Sequence, residues 1–599
     1  MSNLVGAVCS GSAAEILRKA VERLSADGYG EVGWLSAGGG DMVHGREPLR
    51  VGALASRWAA LEAHSVILRL DWQAQPGEGH EAKLESQIAV QFRGAIANTA
   101  PVADHLLVQG ITPLDLKPAS LFAALLRWHL TLQPDLLRAV HAAVHELKGV
   151  FSCAVMSRAH PQQIICATQH AQMLLAATPT GTLFADQVTP LQPLANEFIR
   201  LEHGDVARLT PDRIDIIDIR AMQAHRVPEQ IRPDALVPDF FQHYMEKEIR
   251  EQPIILADSL GQQGLAPDLA TMLGDEAARN LPSVESVVLI GVGSSGHAAL
   301  TARYWIEALT GLPTSVETAS EYRFREAAMP RRALVIGISQ SGETIDTLAA
   351  IAQAQKLGAL YTLAISNVAD SSLMRATHFG YCTEAGPEIG VTSTKSFTTQ
   401  LLALYRLALG LSRALGFVTN AELATIESEL AQLPESVNEV LRLEPQFAQW
   451  AHRLVDHPLL LCTARHMLYP IAMEGAHKFQ EVAYLHAEGY PGGELKHGPL
   501  ALVDRDLPVV ACMPWNRHAE KLLTNLQEVR ARRGELFVLS DAALAAGERF
   551  NAIRMPAGLR GLNPILYAVA MQMLAYRAAL NLGTEIDSPR NLTKAAINE

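Results

Sequence analysis

Short, almost continuously apolar runs alternate with helical segments in the C-terminal part of the chain, and a polar turn follows each run. ESVVLIGVGSSG precedes the helical segment HAALTARYWIEALTG, and ALVIGISQSGET precedes IDTLAAIAQAQKLG. Strands that are apolar on both faces are typical of parallel sheets covered by helices on both sides. The pattern therefore predicts an α/β fold with a doubly wound parallel sheet.

The same alternation begins again near Pro458. PLLLCTA is predicted to be a strand, Tyr469–His486 a long helix, and DLPVVACMP and GELFVLSD further strands. We therefore predict two doubly wound parallel-sheet modules, over residues 281–432 and 433–599, that repeat the pattern without repeating the residues.

The region before residue 223 mixes helices such as Leu121–Leu132 with apolar or alternating segments, which are Ser65–Leu70, Ile88–Phe92, Val150–Met156 and Ile164–Ala167. This mixture predicts an α+β domain over residues 1–222. Residues 223–280 are predicted to be a linker and a docking helix. Prolines recur every five residues from Pro228 to Pro238, and we expect Pro253 to end the charged helix FQHYMEKEIREQP.

Composition excludes several classes of protein. The 599 residues include 50 Lys and Arg against 63 Asp and Glu, a net charge of −13, with no dense basic run. We expect no nucleic-acid partner. No apolar stretch approaches the roughly 20 residues that span a bilayer, so we expect no membrane segment. The N-terminus lacks the basic region of a secretory signal. Six scattered cysteines without CxxC spacing are predicted to be reduced, buried thiols of a cytoplasmic protein.

Two polar turns are candidates for binding phosphate. Gly293-Ser294-Ser295-Gly296 follows one predicted strand, and Ser339-Gln340-Ser341-Gly342-Glu343-Thr344 follows another. Such turns leading into helices present backbone N–H groups and hydroxyl donors to an anion. Ordinary helix N-caps are the alternative for either turn alone, but two in adjacent units favour phosphate. Without GxxxxGK[ST], a nucleoside triphosphate is not favoured.

A second group of candidates lies on the predicted helix Tyr469–His486. Glu474, Lys478 and Glu481 fall on one face and could supply a general base and a cation. On spacing alone, the better interpretation is an exposed stabilising Glu–Lys pair. His497 in the loop GELKHGP is a candidate proton shuttle, and Arg590 and Lys594 lie in the closing segment SPRNLTK.

Together these segments resemble the glucosamine-6-phosphate synthase family, the glutamine–fructose-6-phosphate aminotransferases (isomerizing). The motifs are HYMEKEIREQP, ISQSGETIDTL, EIGVTSTKSFTTQLL, YPIAMEGAHKFQE, HAEGYPGGELKHGPLAL and PRNLTK. The resemblance runs from about Phe241 to the end and implies two sugar-isomerase (SIS) modules after an Ntn-hydrolase-like glutaminase domain. It also implies a homodimer that needs neither a metal nor another cofactor.

The resemblance implies roles for particular residues. A hexose or hexosamine phosphate would be held by Ser295, Ser339, Gln340, Ser341 and Thr344, with Ser294, Val391 and Ser393 lining the sugar. Glu481 would move a proton between C1 and C2, with the cation Lys478 beside it. His497 would assist ring opening from the neighbouring subunit. Lys594, with Arg590 nearby, would close over the open-chain sugar.

The N-terminal domain departs from that family at its catalytic positions. Ser2 stands where the family has its nucleophilic cysteine, Phe92-Arg93-Gly94 replaces the oxyanion-hole Asn-Gly, and Pro118 replaces the Asp that binds the glutamine amino group. Arg57 and Trp58 remain. Since the loss of one oxyanion donor alone costs about a hundredfold or more in rate, we expect a degenerate, inactive glutaminase.

Three functions are compatible with these observations. The first is a hexosamine-phosphate enzyme that uses free ammonia or works in the deaminase direction. The second is an isomerase or deglycase for a related amino-sugar or fructosamine phosphate. The third is a non-catalytic sugar-phosphate sensor, which retention of Glu481, His497 and Lys594 disfavours.

Overall fold

A computed structural model of the chain describes residues 2–13, 16–18, 31–38, 41–48, 63–71, 83–84, 87–169, 171, 173–186, 190–191, 194–195, 197–230, 241–369 and 371–592. The chain forms two compact units, residues 1–242 with 253–262 and residues 243–252 with 263–599. The limits at residues 222, 280 and 432 stay predictions.

The N-terminal unit contains two antiparallel sheets. Its strands are β1 (Ser2–Cys9), β2 (Glu31–Gly38), β3 (Asp41–Pro48), β4 (Ser65–Asp71), β5 (Lys83–Leu84), β6 (Ile88–Ile96), β7 (Gly149–Ser157), β8 (His160–Gln169), β9 (Leu174–Thr178), β10 (Gly181–Ala185), β11 (Glu197–Arg200), β12 (Val206–Leu209), β13 (Ile214–Ile217), β14 (Gln223–Ala224) and β15 (Glu229–Gln230). The strand orders are β15-β11-β9-β10-β1-β4-β2-β3 and β14-β13-β12-β8-β7-β6-β5.

Alternation along the strands builds a layered core in this unit. Leu4 and Val8 of β1 face one apolar cluster, shared with Met156 of the second sheet, whereas Val5 and Ala7 face another. Three helices cover the second sheet, and they are α1 (Thr99–Val108), α2 (Pro118–Leu132) and α3 (Leu136–Glu146). Two stacked sheets with helices outside them confirm the predicted α+β, Ntn-hydrolase-like class.

The C-terminal unit contains two five-stranded parallel sheets. Their strands are β16 (Ser286–Gly291), β17 (Thr314–Thr318), β18 (Ala333–Ser339), β19 (Tyr361–Ser366) and β20 (Phe379–Cys382), then β21 (Leu459–Ala464), β22 (His486–Pro491), β23 (Pro508–Cys512), β24 (Glu535–Ser540) and β25 (Phe550–Arg554). The orders are β17-β16-β18-β19-β20 and β22-β21-β23-β24-β25. Both sheets run 2-1-3-4-5, which confirms two doubly wound modules related by duplication.

The remaining helices precede, connect or follow these strands. They are α4 (Tyr244–Gln263), α5 (Leu269–Leu273), α6 (Asp275–Asn280), α7 (Gly293–Thr310), α8 (Ala319–Tyr322), α9 (Ile345–Lys356), α10 (Ser372–Ala376), α11 (Lys395–Leu415), α12 (Asn420–Arg442), α13 (Glu444–Leu454), α14 (Tyr469–Ala483), α15 (Ala519–Ala531) and α16 (Asn563–Leu582). Short 3₁₀ turns lie at Leu281–Ser283, His466–Leu468, Leu495–His497 and Pro499–Leu502. The predicted helix Tyr469–His486 ends at Ala483, because Tyr484 adopts a left-handed φ of 56° and His486 begins β22.

The prediction that Pro253 ends the docking helix is wrong, because α4 continues through Pro253 to Gln263. A proline inside a helix removes the N–H that would bond the carbonyl four residues earlier. That carbonyl belongs to Ile249, and the side-chain amide of Gln252 donates to it at 3.0 Å. The freed acceptor is therefore satisfied, and the helix can continue.

The prediction that no segment reaches membrane-spanning length is also wrong for α16. By length and composition this helix could cross a bilayer, but 78% of its apolar window is buried inside the protein. It packs against α14 and α13. All six cysteines are free and buried, as predicted.

Candidate functional site

Strands β16 and β18 are neighbours in the first parallel sheet, so their carboxyl ends lie at the same edge. The two polar turns follow these ends, at the point where the strand order reverses. Gly293 begins α7 with a φ of +52°, which favours glycine and turns the chain sharply after β16. The structure thus brings both predicted phosphate turns to one edge.

The second turn is held by hydroxyl groups rather than by charge. The Ser339 hydroxyl lies 3.0 Å from that of Thr344 and accepts from the Gly342 amide at 3.1 Å. Ser341 Oγ accepts from the Glu343 amide at 3.2 Å. Thr344 occupies the N-cap of α9, yet its side chain makes no capping hydrogen bond. The simple N-cap interpretation is therefore wrong for Thr344.

Gln340 follows Ser339 in the same turn. Its carbonyl accepts from the Asn367 amide at 3.0 Å, which fixes the backbone there. In the first turn, Gln400 of α11 donates to Ser295 Oγ at 3.1 Å, so that hydroxyl faces α11. The predicted phosphate residues thus lie in two anchored turns.

The face of α14 that carries Glu474, Lys478 and Glu481 is buried. The Lys478 side chain is 0% exposed, and its Nζ lies 3.1 Å from Glu474 and 2.6 Å from Glu481. It also donates to Ser294 Oγ at 3.2 Å, and Ser294 donates to Glu474 at 2.8 Å. The interpretation of this face as an exposed stabilising pair is wrong, because the three groups close on the first polar turn.

Burial and charge oppose each other in this cluster. Burial raises the carboxyl pKa of Glu474 and Glu481, but attraction to Lys478 and hydrogen bonds from His297 and His477 outweigh it and hold both below the ordinary value. Burial lowers the pKa of Lys478, but the two carboxylates outweigh it and hold that pKa above its ordinary value. All three groups are therefore charged at neutral pH, in the form a general base requires.

Two imidazoles complete the cluster, and the sequence did not predict them as site residues. His297 Nδ1 lies 2.7 Å from Glu474 Oε2, and His477 Nε2 lies 3.0 Å from Glu481 Oε1. The two rings meet edge to face with their centroids 5.6 Å apart. A signal was available for His297, since it follows Ser294 by three residues and so shares its helix face.

The loop before α11 and the C-terminal segment are bonded to each other. The Val391 amide donates to the carbonyl of Asp587 at 3.0 Å. Val391 and Ser393 are half-buried. The carboxylate of Glu388 accepts from the Thr394 amide at 2.9 Å and holds this loop in place.

Arg590 lies at the C-terminal end of α14, where its guanidinium stacks 4.3 Å from the ring centroid of Tyr484. Its amide donates to the Tyr484 hydroxyl at 2.9 Å. Lys594 lies outside the described residues. His497 is exposed in the 3₁₀ turn after β22. In the part of the chain that the structure describes, its side chain makes no hydrogen bond or ion pair with the α14 cluster.

In the N-terminal unit, Arg93 is buried in an ionic cluster. Its guanidinium lies 2.5 Å from Asp186 and 3.0 Å from Asp258, and Asp186 also accepts from the Leu4 amide at 2.9 Å. Burial raises the pKa of Asp186, and repulsion by Asp258 raises it further. Together these effects outweigh the attraction to Arg93, which lowers the pKa, and the result is a pKa of about 6. Arg93 thus contributes two of its N–H groups to a buried ionic cluster.

The other N-terminal candidates are placed only in part. The backbone of Ser2 begins β1, paired with Asp71 of β4. Pro118 is the first residue of α2, a position that proline favours. Arg57 and Trp58 lie outside the described residues.

Comparison with known proteins agrees with this geometry. The family model described as "SIS domain" matches residues 281–410 and 457–582. The C-terminal domain of glucosamine-fructose-6-phosphate aminotransferase from Francisella tularensis has 37% sequence identity and a TM-score of 0.56, covering 58% of this chain and 99% of that one. Glutamine–fructose-6-phosphate aminotransferases (isomerizing) of Acidithiobacillus ferridurans and Bordetella parapertussis are 39% and 38% identical, with 100% of each chain covered.

The chain belongs to the glutamine–fructose-6-phosphate aminotransferase (isomerizing) family. The likeness extends through both units, and the two SIS matches fall on the two parallel-sheet modules. The resemblance inferred from the motifs is confirmed. As a member of this aminotransferase family, the chain carries its α14 cluster in the second SIS match and its polar turns in the first.

Proposed function

We propose that the protein is a hexosamine-phosphate isomerase that interconverts fructose 6-phosphate plus ammonia with glucosamine 6-phosphate and does not use glutamine. The observation that carries the isomerase assignment is the buried Lys478 between Glu474 and Glu481, directly beside Ser294. A sensor would need the polar turns alone. A buried ammonium that keeps a carboxylate ionised is costly to fold and serves proton transfer.

The substrate would lie across the two turns. Ser295, Ser339, Gln340, Ser341 and Thr344 would hold the phosphate through hydroxyl, amide and backbone N–H donors. Ser294, Val391 and Ser393 would line the sugar. This assignment is supported by the convergence of both turns at one sheet edge.

The chemistry would proceed by proton transfer. Ammonia adds to the C2 carbonyl of the open-chain ketose, and water leaves to give the imine. Glu481 then takes a proton from C1 and returns it to C2 through an enolamine, which gives the aldose. Lys478 keeps Glu481 ionised, and Lys594, with Arg590 nearby, would close over the open chain. This route needs no metal or other cofactor.

Loss of glutamine use is supported by the Arg93 cluster. A glutaminase needs a free donor at the oxyanion and an anchor for the substrate amino group. Here Arg93 is held by Asp186 and Asp258, and Pro118 stands at the anchor position. Ammonia would therefore come from solution.

The test is an assay of the purified protein in two directions. One arm supplies fructose 6-phosphate with glutamine or with ammonium and measures glucosamine 6-phosphate. The other supplies glucosamine 6-phosphate and measures ammonia and fructose 6-phosphate. We expect turnover with ammonium or in the reverse arm, and its loss in Glu481→Gln. Glutamate release from glutamine would contradict the loss of glutaminase activity.

A second candidate is an isomerase or deglycase for a related amino-sugar or fructosamine phosphate. It is favoured by His297 and His477, which add two imidazoles to the carboxylate cluster. Sugar turnover without ammonia release or uptake would select this candidate. If no sugar phosphate is turned over, the protein would be a non-catalytic sensor.

We further propose a cytoplasmic homodimer in which His497 enters the site of the partner subunit. The support is its exposure at the end of the 3₁₀ turn after β22, where it is free to meet another chain. Glu481→Gln and His497→Asn homodimers should both be impaired. Mixed dimers should regain activity, since one of their two sites would carry both native residues. No recovery in the mixture would overturn the shared site.

A further inference from the structure

Two histidines and one glutamate converge between α7 and α14 in a way that the proton-transfer chemistry does not require. One nitrogen of His297, one of His477 and one carboxylate oxygen of Glu474 all lie within 4.8 Å of one another. Two nitrogen ligands and one carboxylate are the donor set of many catalytic zinc sites, which keep a fourth position open. From this convergence we infer that the protein binds a divalent transition-metal ion, zinc above all, at His297, Glu474 and His477.

The two oxygens of Glu474 are divided between different partners. Oε1 receives Lys478 and Ser294, whereas Oε2 faces His297 Nδ1 at 2.7 Å. A metal at Oε2 would replace the hydrogen bond from His297 and leave the Lys478 contact in place. In a tetrahedral zinc site with metal–ligand distances of about 2.0–2.1 Å, the ligand atoms lie roughly 3.4 Å from one another. Side-chain rotations that move the three ligand atoms by about an ångström would bring them to these distances.

The chemistry of the donor set favours one kind of cation. Two imidazole nitrogens lie beside a carboxylate oxygen of Glu474, which itself lies next to the carboxylate-bound ammonium of Lys478. Nitrogen donors of this kind favour zinc over magnesium or calcium, which prefer oxygen ligands.

The three proposed ligands lie where an ion could enter from solvent, next to the first polar turn. The side chain of His477 is 31% exposed and that of His297 is 14% exposed, so an ion has a path of entry. A Cβ on Gly293 would lie 3.8 Å from His477 Cε1, so the ring leans over the first polar turn. This inference goes beyond the proposed function, because those proton transfers need no metal.

The test measures metal binding to the full-length protein with no sugar present. After treatment with a chelator, the protein is equilibrated with Zn²⁺, and bound zinc is counted by mass spectrometry. Co²⁺ is added in parallel, since four-coordinate Co²⁺ gives intense visible bands. We expect one ion per chain, and a loss of affinity of at least tenfold in His297→Asn/His477→Leu.

The matched control changes one exposed and one half-buried histidine of the same unit, His452→Asn/His457→Leu, and should bind zinc as the unaltered protein does. Unfolding midpoints in chelator show whether each variant is folded. Absence of zinc from the unaltered protein, or equal uptake by the site variant, would overturn the inference. Because the test measures zinc binding and not sugar turnover, a negative result would not contradict the proposed isomerase function. A failure of the isomerase assay would likewise not contradict the metal site.

Discussion

Replacing Lys478 with methionine should destabilise the C-terminal unit and impair catalysis together. At an effective dielectric constant of about 20, the 3.1 Å contact with Glu474 alone is an attraction of about 5 kcal/mol before desolvation. Removing the ammonium leaves two neighbouring carboxylates without their cation, and breaking a buried ion pair costs about 3–5 kcal/mol. We expect a loss of free energy of unfolding in that range, and a fall in turnover.

Urea unfolding followed by circular dichroism measures the loss, with the transition of the C-terminal unit fitted separately. Lys521→Met is the matched control, because Lys521 is exposed and its loss should change the free energy by no more than about 0.5 kcal/mol. The triple variant that also carries Glu474→Gln and Glu481→Gln should recover much of the stability, since the uncompensated charges are then gone.

If Lys478→Met loses less than about 1 kcal/mol of its free energy of unfolding, Lys478 does not form a strong buried ion pair with the two carboxylates. Removing such a buried ammonium should cost more than that. A second readout is the pH dependence of turnover. Lys478 holds the Glu481 pKa below its ordinary value, so the acid limb of the profile should move to higher pH in the variant.

Three further outcomes follow from the structure. Glu481→Gln should lower kcat by about 10²–10⁴ with little change in sugar-phosphate binding, as steady-state kinetics and calorimetry would report, and an unchanged kcat would remove Glu481 as the base. Gly342→Ala should raise KM and lower the melting temperature, because Gly342 has a φ of +68° and a Cβ would lie 2.1 Å from Ser371 Oγ. The raised Asp186 pKa of about 6 should make the N-terminal unit lose stability as pH rises through 6, and a pH series of unfolding midpoints should lose that dependence in Asp186→Asn.

The strands that sequence reasoning found and those it missed differ in where they lie. It predicted the central strands β16, β18, β21, β23 and β24, which are apolar because both faces are covered. It missed the edge strands of both parallel sheets, namely β17, β20, β22 and β25. An edge strand is partly solvated, so its sequence, such as HAEGYP in β22, carries polar residues and glycine that favour a loop.

The sequence predicts which residues of the candidate site share a helix face, but tertiary packing determines whether that face is buried. Helical periodicity places Glu474, Lys478 and Glu481 on one face, and it did so correctly. Whether that face is exposed depends on α7, far away in the chain, from which Ser294 and His297 bond to Glu474. Nothing in the spacing of charges alone encodes that contact.

The Arg93 cluster and the α14 cluster differ in how accessible their charged groups are. In the N-terminal unit, the side chains of Arg93, Asp186 and Asp258 are 4%, 2% and 5% exposed, so solvent and ligands have little access to them. In the C-terminal unit, Lys478 is fully buried but its partner Glu481 is 18% exposed. The buried ammonium of Lys478 keeps the Glu481 carboxylate ionised, and that carboxylate remains accessible to a ligand. The Arg93 cluster is closed to solvent, and its ion pairs only hold strands and a helix together. Three charged residues therefore form a closed ion-pair triad in one unit and a partly accessible one in the other.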